Sequence, residues 1–116
     1  MKIGIDKTPN IMQIVFRAEQ SDKFYSNCMW GVVNLDSKNG IMSACTECGI
    51  YAYKWNGKRK DFLKLMKTAD EDCLLAKIST KEFDLDIDDF VVHDYPSRAR
   101  IFANLFVEYV QPRIEI

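Results

Sequence analysis

The apolar residues of this chain change their period near its middle. Between Asn10 and Trp55 they fall in short runs rich in β-branched and aromatic types. From Lys58 to Tyr109 they recur three and four apart. The first regime predicts strands and the second helices. Asn10–Ala18 reads as a first strand, with Ile14 and Phe16 on one face, and Glu19–Lys23 as a polar turn. Phe24–Leu35 reads as a second strand whose blurred alternation means either that both faces are partly covered or that Gly31 marks a bulge. Asp36–Gly40 carries Asn39-Gly40, a pair that tolerates the positive φ of hairpin turns. Ile41–Ala44 gives a third strand and Gly49–Trp55 a fourth. In the fourth, Tyr51, Tyr53 and Trp55 share one face, and Ile50, Ala52 and Lys54 the other. Short connections imply an antiparallel meander. Residues 1–9 are too short and mixed for an assignment.

Asn56-Gly57 ends the strands. Lys58–Lys67 has helical spacing, with Phe62 and Met66 four apart. Thr68 followed by Glu71 fits a capping box opening a second helix to about Ile78, whose inward stripe is Leu74, Leu75 and Ile78. Asp84–Asp94 reads as a third helix with Ile87, Phe90 and Val91 inward. Pro96 suits the first turn of a last helix, on which Ile101, Leu105, Phe106 and Tyr109 recur before Pro112 stops it. The tail Arg113–Ile116 alternates and would add an edge strand. The fold class expected is α+β: a four-stranded antiparallel sheet followed by three to four helices packed on one face. Residues 1–116 form one domain, with strands within 10–55 and helices within 58–111.

Composition narrows the function classes. The 116 residues are 47% hydrophobic and 28% charged, which suits a packed domain and not a disordered chain. Sixteen basic residues against seventeen acidic ones give a net charge of −1, so nucleic acid is the less favoured partner. No apolar run approaches a membrane span or a signal peptide, and the expected compartment is the cytoplasm, where Cys28, Cys45, Cys48 and Cys73 stay reduced or bind metal.

Three groups of residues carry candidate chemistry. Cys45 and Cys48 form a CxxC that would hold zinc only with two further ligands from Cys28, Cys73 or His93, and no second such pair exists. No cofactor is therefore expected, and a zinc-stabilised domain is the second alternative. Tyr51, Tyr53 and Trp55 followed by Lys58, Arg59 and Lys60 would stack bases and track phosphates of a single strand, if all were exposed together. The competing reading places those rings against the helices. Glu82, Asp84, Asp86, Asp88, Asp89 and Asp94 concentrate negative charge. The run lacks the glycine and the final glutamate of a calcium loop, so it reads as helix-capping acids or as an acidic ridge for a basic partner. His93, the only histidine, has no recognisable catalytic partner, and no catalytic signature occurs.

The pattern Cys48-Gly49-x-Tyr51-x-Tyr53-x-Trp55, Phe62-Leu63, Asp70-x-Asp72-x-Leu74-Leu75-x-Lys77-Ile78 and Glu82-Phe83-Asp84 resembles a family of small phage and prophage proteins over about residues 40 to 90. The resemblance implies a phage or mobile-element origin and brings no catalytic residues. It implies a non-enzymatic binder or inhibitor of a host protein in the host cytoplasm, of the counter-defence, anti-CRISPR-like kind, with a nucleic-acid-handling target.

Overall fold

A computed structural model describes residues 1–55, 59–78 and 95–115. It is an α+β architecture of two layers. Five antiparallel strands run in the order β1 (Lys2–Lys7), β2 (Ile11–Arg17), β3 (Trp30–Asp36), β4 (Ile41–Thr46) and β5 (Ile50–Lys54). Each strand pairs with its neighbours in sequence, so the sheet is the expected meander with one strand more. The extra strand is β1, whose register sets Ile3 opposite Phe16 and Ile5 opposite Ile14.

Helices cover one face of the sheet. They are α1 (Arg59–Thr68), α2 (Glu71–Ile78) and α3 (Tyr95–Leu105), the last continuing through a π turn, Phe106–Val110, into a 3₁₀ turn, Gln111–Arg113. Met12, Ile14, Phe16, Val33, Leu35, Met42, Ala44 and Tyr51 point inward and are buried. Phe62, Met66, Leu74, Ile78, Phe102, Leu105, Phe106 and Ile114 meet them from the helical side.

Several expectations are corrected. The second predicted strand starts at Trp30, because Phe24–Cys28 closes a turn in which the Phe24 carbonyl accepts from the Asn27 and Cys28 amides at 3.0 and 2.9 Å. Gly31 is not bulged. It pairs in regular register with Phe16 and Thr46, whose side chains lie across its face: a Cβ there would stand 2.5 Å from Phe16 Cζ and 2.7 Å from Thr46 Cγ2. Absence of a side chain lets the Phe16 ring lie flat on the strand.

Thr68 does not cap α2. It is the last residue of α1, and its hydroxyl donates to the Lys64 carbonyl at 2.7 Å. Asp70 is the cap, with Oδ1 accepting from the Cys73 amide at 2.7 Å. Leu75 is half-buried, whereas Leu74 and Ile78 are buried. The tail adds no strand among the described residues. Instead Ile114 enters the core and Lys67 Nζ donates to its carbonyl, while Gln111 Nε2 donates to the Ala69 carbonyl at 2.5 Å. These bonds tie the end of the chain to the α1–α2 corner. The expected helix 84–94 and the Asn56-Gly57 turn lie outside the described residues.

Candidate functional site

The alternation of β5 sends Tyr51 into the core, where it stacks on Phe102 at 4.9 Å and 19°. Tyr53 meets Trp55 edge-on at 4.7 Å, and Trp55 leans on Phe62 at 6.0 Å. Lys77 Nζ lies 5.3 Å from the Tyr53 ring centre. Lys58 lies outside the described residues, as do the side chains of Arg59 and Lys60. A base-stacking strand needs its rings free together. Tyr51 is buried, so the aromatic row cannot serve as that platform and belongs to the sheet–helix interface.

The CxxC is the hairpin turn between β4 and β5. The Thr46 amide donates to the Gly49 carbonyl at 3.0 Å and the Gly49 amide returns to Thr46 at 3.2 Å, leaving Glu47 and Cys48 as the two-residue loop. Cys45, the last outward residue of β4, is exposed. Cys48 is buried and donates from Sγ to the Asn27 carbonyl at 3.4 Å. One thiol is in solvent and the other in the core, so the pair does not converge on an ion. Among the described residues no three His, Cys, Asp or Glu side chains gather to hold a metal. Glu82, Asp84, Asp86, Asp88, Asp89, His93 and Asp94 lie outside the described residues.

A groove of about 540 Å³ lies between the Lys23–Asn27 turn and α2 and α3. Its cations are paired: Lys23 with Glu108 at 2.5 Å, and Arg100 with Glu71 at 3.2 Å and Asp72 at 3.3 Å. Asn104 donates to Glu71 at 3.1 Å. These side chains satisfy one another and converge on no common point where a substrate would react.

The face of the sheet turned away from the helices has a different character. The register places Gly4, Val15, Val32, Cys45 and Ile50 side by side, one from each strand. With strands about 4.8 Å apart, this apolar row runs roughly 20 Å across the sheet. Val15 is 46% exposed and Ile50 64%. The next row toward one end holds Lys2, Arg17 and Trp30, the last 47% exposed. On the other side lies a row of Asp6, Gln13, Asn34, Ser43 and Ala52, in which Gln13 donates to Asn34 at 3.2 Å. An apolar band thus sits between a basic-aromatic border and a polar one. Sequence reading identified the outward residues of β5 but not the band, since it exists only once the register aligns four pairings. Val15 and Val32, apolar at outward positions, were its visible sign.

Compared with protein-family models, curated proteins and solved structures, the chain matches none. No helix among the described residues is long and apolar enough to cross a membrane.

Proposed function

We propose that this chain is a small phage or mobile-element accessory protein that acts by binding a host protein in the host cytoplasm, without catalysis. The observation that carries the reading is the apolar band Val15–Val32–Cys45–Ile50 with Trp30 at its border. Outward positions of a solvated antiparallel sheet are ordinarily polar, and contiguous exposed apolar area marks interaction surfaces. An exposed tryptophan beside Arg17 supplies the residue types that dominate binding hot spots. Counter-defence inhibition of a nucleic-acid-handling protein is the form this binding takes in our reading.

The test is direct binding to a partner first captured from host lysate and then purified. Ile50→Glu and Trp30→Ser place a charge on the band and remove its aromatic anchor without touching the core. The proposal requires at least a tenfold weaker complex with each variant. Equal affinity would move the binding surface off the sheet, and would make Asp86, Asp88 and Asp89 the next positions to neutralise.

A further inference from the structure

The outward face of the sheet is ordered about its own apolar band. One row to one side of the band holds Lys2, Arg17 and Trp30, and one row to the other side holds Asp6, Gln13 and Asn34, from the same three strands in the same order. Lys2 and Asp6 are both exposed and stand on one strand, about 13 Å apart at the rise of a strand, too far to pair with each other. Among the described residues, neither of them nor Arg17 has an ion-pair partner. The charges at the β1 edge are therefore opposite in sign across the band and unanswered within the chain.

We infer that in the free protein a second copy of this chain covers the band, the two sheets packing face to face about a two-fold axis that runs along the band, across the strands. On that axis each band residue meets its own counterpart: Val15 on Val15, Val32 on Val32, Cys45 on Cys45 and Ile50 on Ile50. The flanking rows exchange places. Lys2 of each copy then meets Asp6 of the other, Arg17 meets Gln13, and Trp30 meets Asn34. In these three rows no like charges face each other. A two-fold running along β3 instead would set Asp36 against its own copy, a like-charge contact that costs free energy. Facing sheets keep their strands nearly aligned and lie about 10 Å apart, close enough for valine and isoleucine side chains to interdigitate. Five strands of five to seven residues give a face of about 24 by 20 Å, so two copies cover about 1,000 Å² of projected area. That is the lower bound for a specific interface, so the dimer is weak and reversible. A host protein that uses the same band competes with the second copy. Self-association is a property of the pure chain and stands independently of host binding.

The experiment uses the full chain carrying Cys73→Ser, which leaves Cys45 as the one exposed thiol. Sedimentation equilibrium from low micromolar to millimolar protein should show the mass rise from one chain to two and stop there. A short bis-maleimide should join two copies through Cys45, in a yield that rises with protein concentration. Ile50→Glu, at an exposed position, should weaken the dimer at least tenfold with the thermal midpoint of the monomer unchanged. Lys2→Glu and Asp6→Lys should each weaken it severalfold, and the two together should restore it, because the swapped charges meet again across the axis. A monomer at millimolar concentration, oligomers larger than two, a dimer indifferent to Ile50→Glu, no cross-link at Cys45, or no rescue by the charge swap would each overturn the inference. None of these readings involves a host protein, so a monomeric chain would leave host binding standing, and failure to capture a partner would leave the dimer standing.

Discussion

Replacing Gly31 with alanine tests the close approach on which the sheet's centre depends. The new Cβ would stand 2.5 Å from Phe16 Cζ, 2.6 Å from Phe16 Cε1 and 2.7 Å from Thr46 Cγ2. None of these atoms is the free end of a flexible chain. Phe16 is 1% exposed and Thr46 6%, so the ring has no open space into which to turn. Overpacking of this kind costs about 1–3 kcal/mol. Alanine returns about 0.4–1 kcal/mol by restricting the unfolded chain. The midpoints of these ranges leave a net loss of about 1.3 kcal/mol, against a total stability of about 5–15 kcal/mol for a domain. At about 4 °C per kcal/mol for a chain of this size, the thermal midpoint should fall by about 5 °C. Phe16→Leu removes the offending ring atoms, so combining it with Gly31→Ala should cost less than the sum of the two single changes. Gly4→Ala is the internal control: a Cβ there meets nothing within 4 Å, and the midpoint should hold or rise. A Gly31→Ala midpoint equal to or above that of the wild type would refute the close approach and revive the bulge.

Leu74→Ala should cost about 2–5 kcal/mol in urea denaturation, and Leu75→Ala distinctly less, since Leu74 is buried and Leu75 half-buried. Equal losses would break the α2 register. Asp36, through Asn39, and Asp70, through the Cys73 amide, have carboxyls held below the usual range by hydrogen bonds. Their contribution is present above the unfolded value, about 3.9, and is lost as pH falls through the lower folded value. The Asp36→Ala/Asp70→Ala variant should therefore lose less stability than wild type between neutral pH and the acid range, which a thermal midpoint series against pH measures. Elemental analysis of protein purified without chelator should find no stoichiometric zinc, because Cys45 is exposed and Cys48 buried. One zinc per chain would contradict that placement.

The sheet was legible wherever one face is covered. In β5 the strict alternation of Tyr51 and Tyr53 against Ile50, Ala52 and Lys54 matches the observed burial, since a half-buried strand writes its pleat into the sequence. Strand β1 was not legible. It lies at the sheet's edge with both faces largely exposed, so only Ile3 and Ile5 report its period, and Gly4 and three charged residues fill the rest. The Phe24–Cys28 turn misled for the opposite reason: Phe24 and Cys28 are buried and looked like strand residues. The cap moved from Thr68 to Asp70 because the α1 ladder reaches past Thr68, the Ala69 amide still donating to the Leu65 carbonyl at 2.8 Å. The burial of Cys28 and Cys48 had no local signature at all. Cys48 meets the Asn27 carbonyl only once both turns are folded, which no spacing rule encodes.

The meander has a consequence for how the chain is made. Every strand pairs with a sequence neighbour, so the whole sheet is specified once Lys54 has been synthesised. The helical layer is encoded entirely after that point, and Phe102 and Ile114, which complete the core, come near the end. At about 5–20 residues per second, a ribosome needs roughly 3–12 s to supply residues 55–116. Throughout that interval Phe16, Leu35, Met42 and Tyr51 belong to a nascent sheet without its cover. Both of its faces then carry apolar rows, and holdase chaperones have their natural target in this half-made chain.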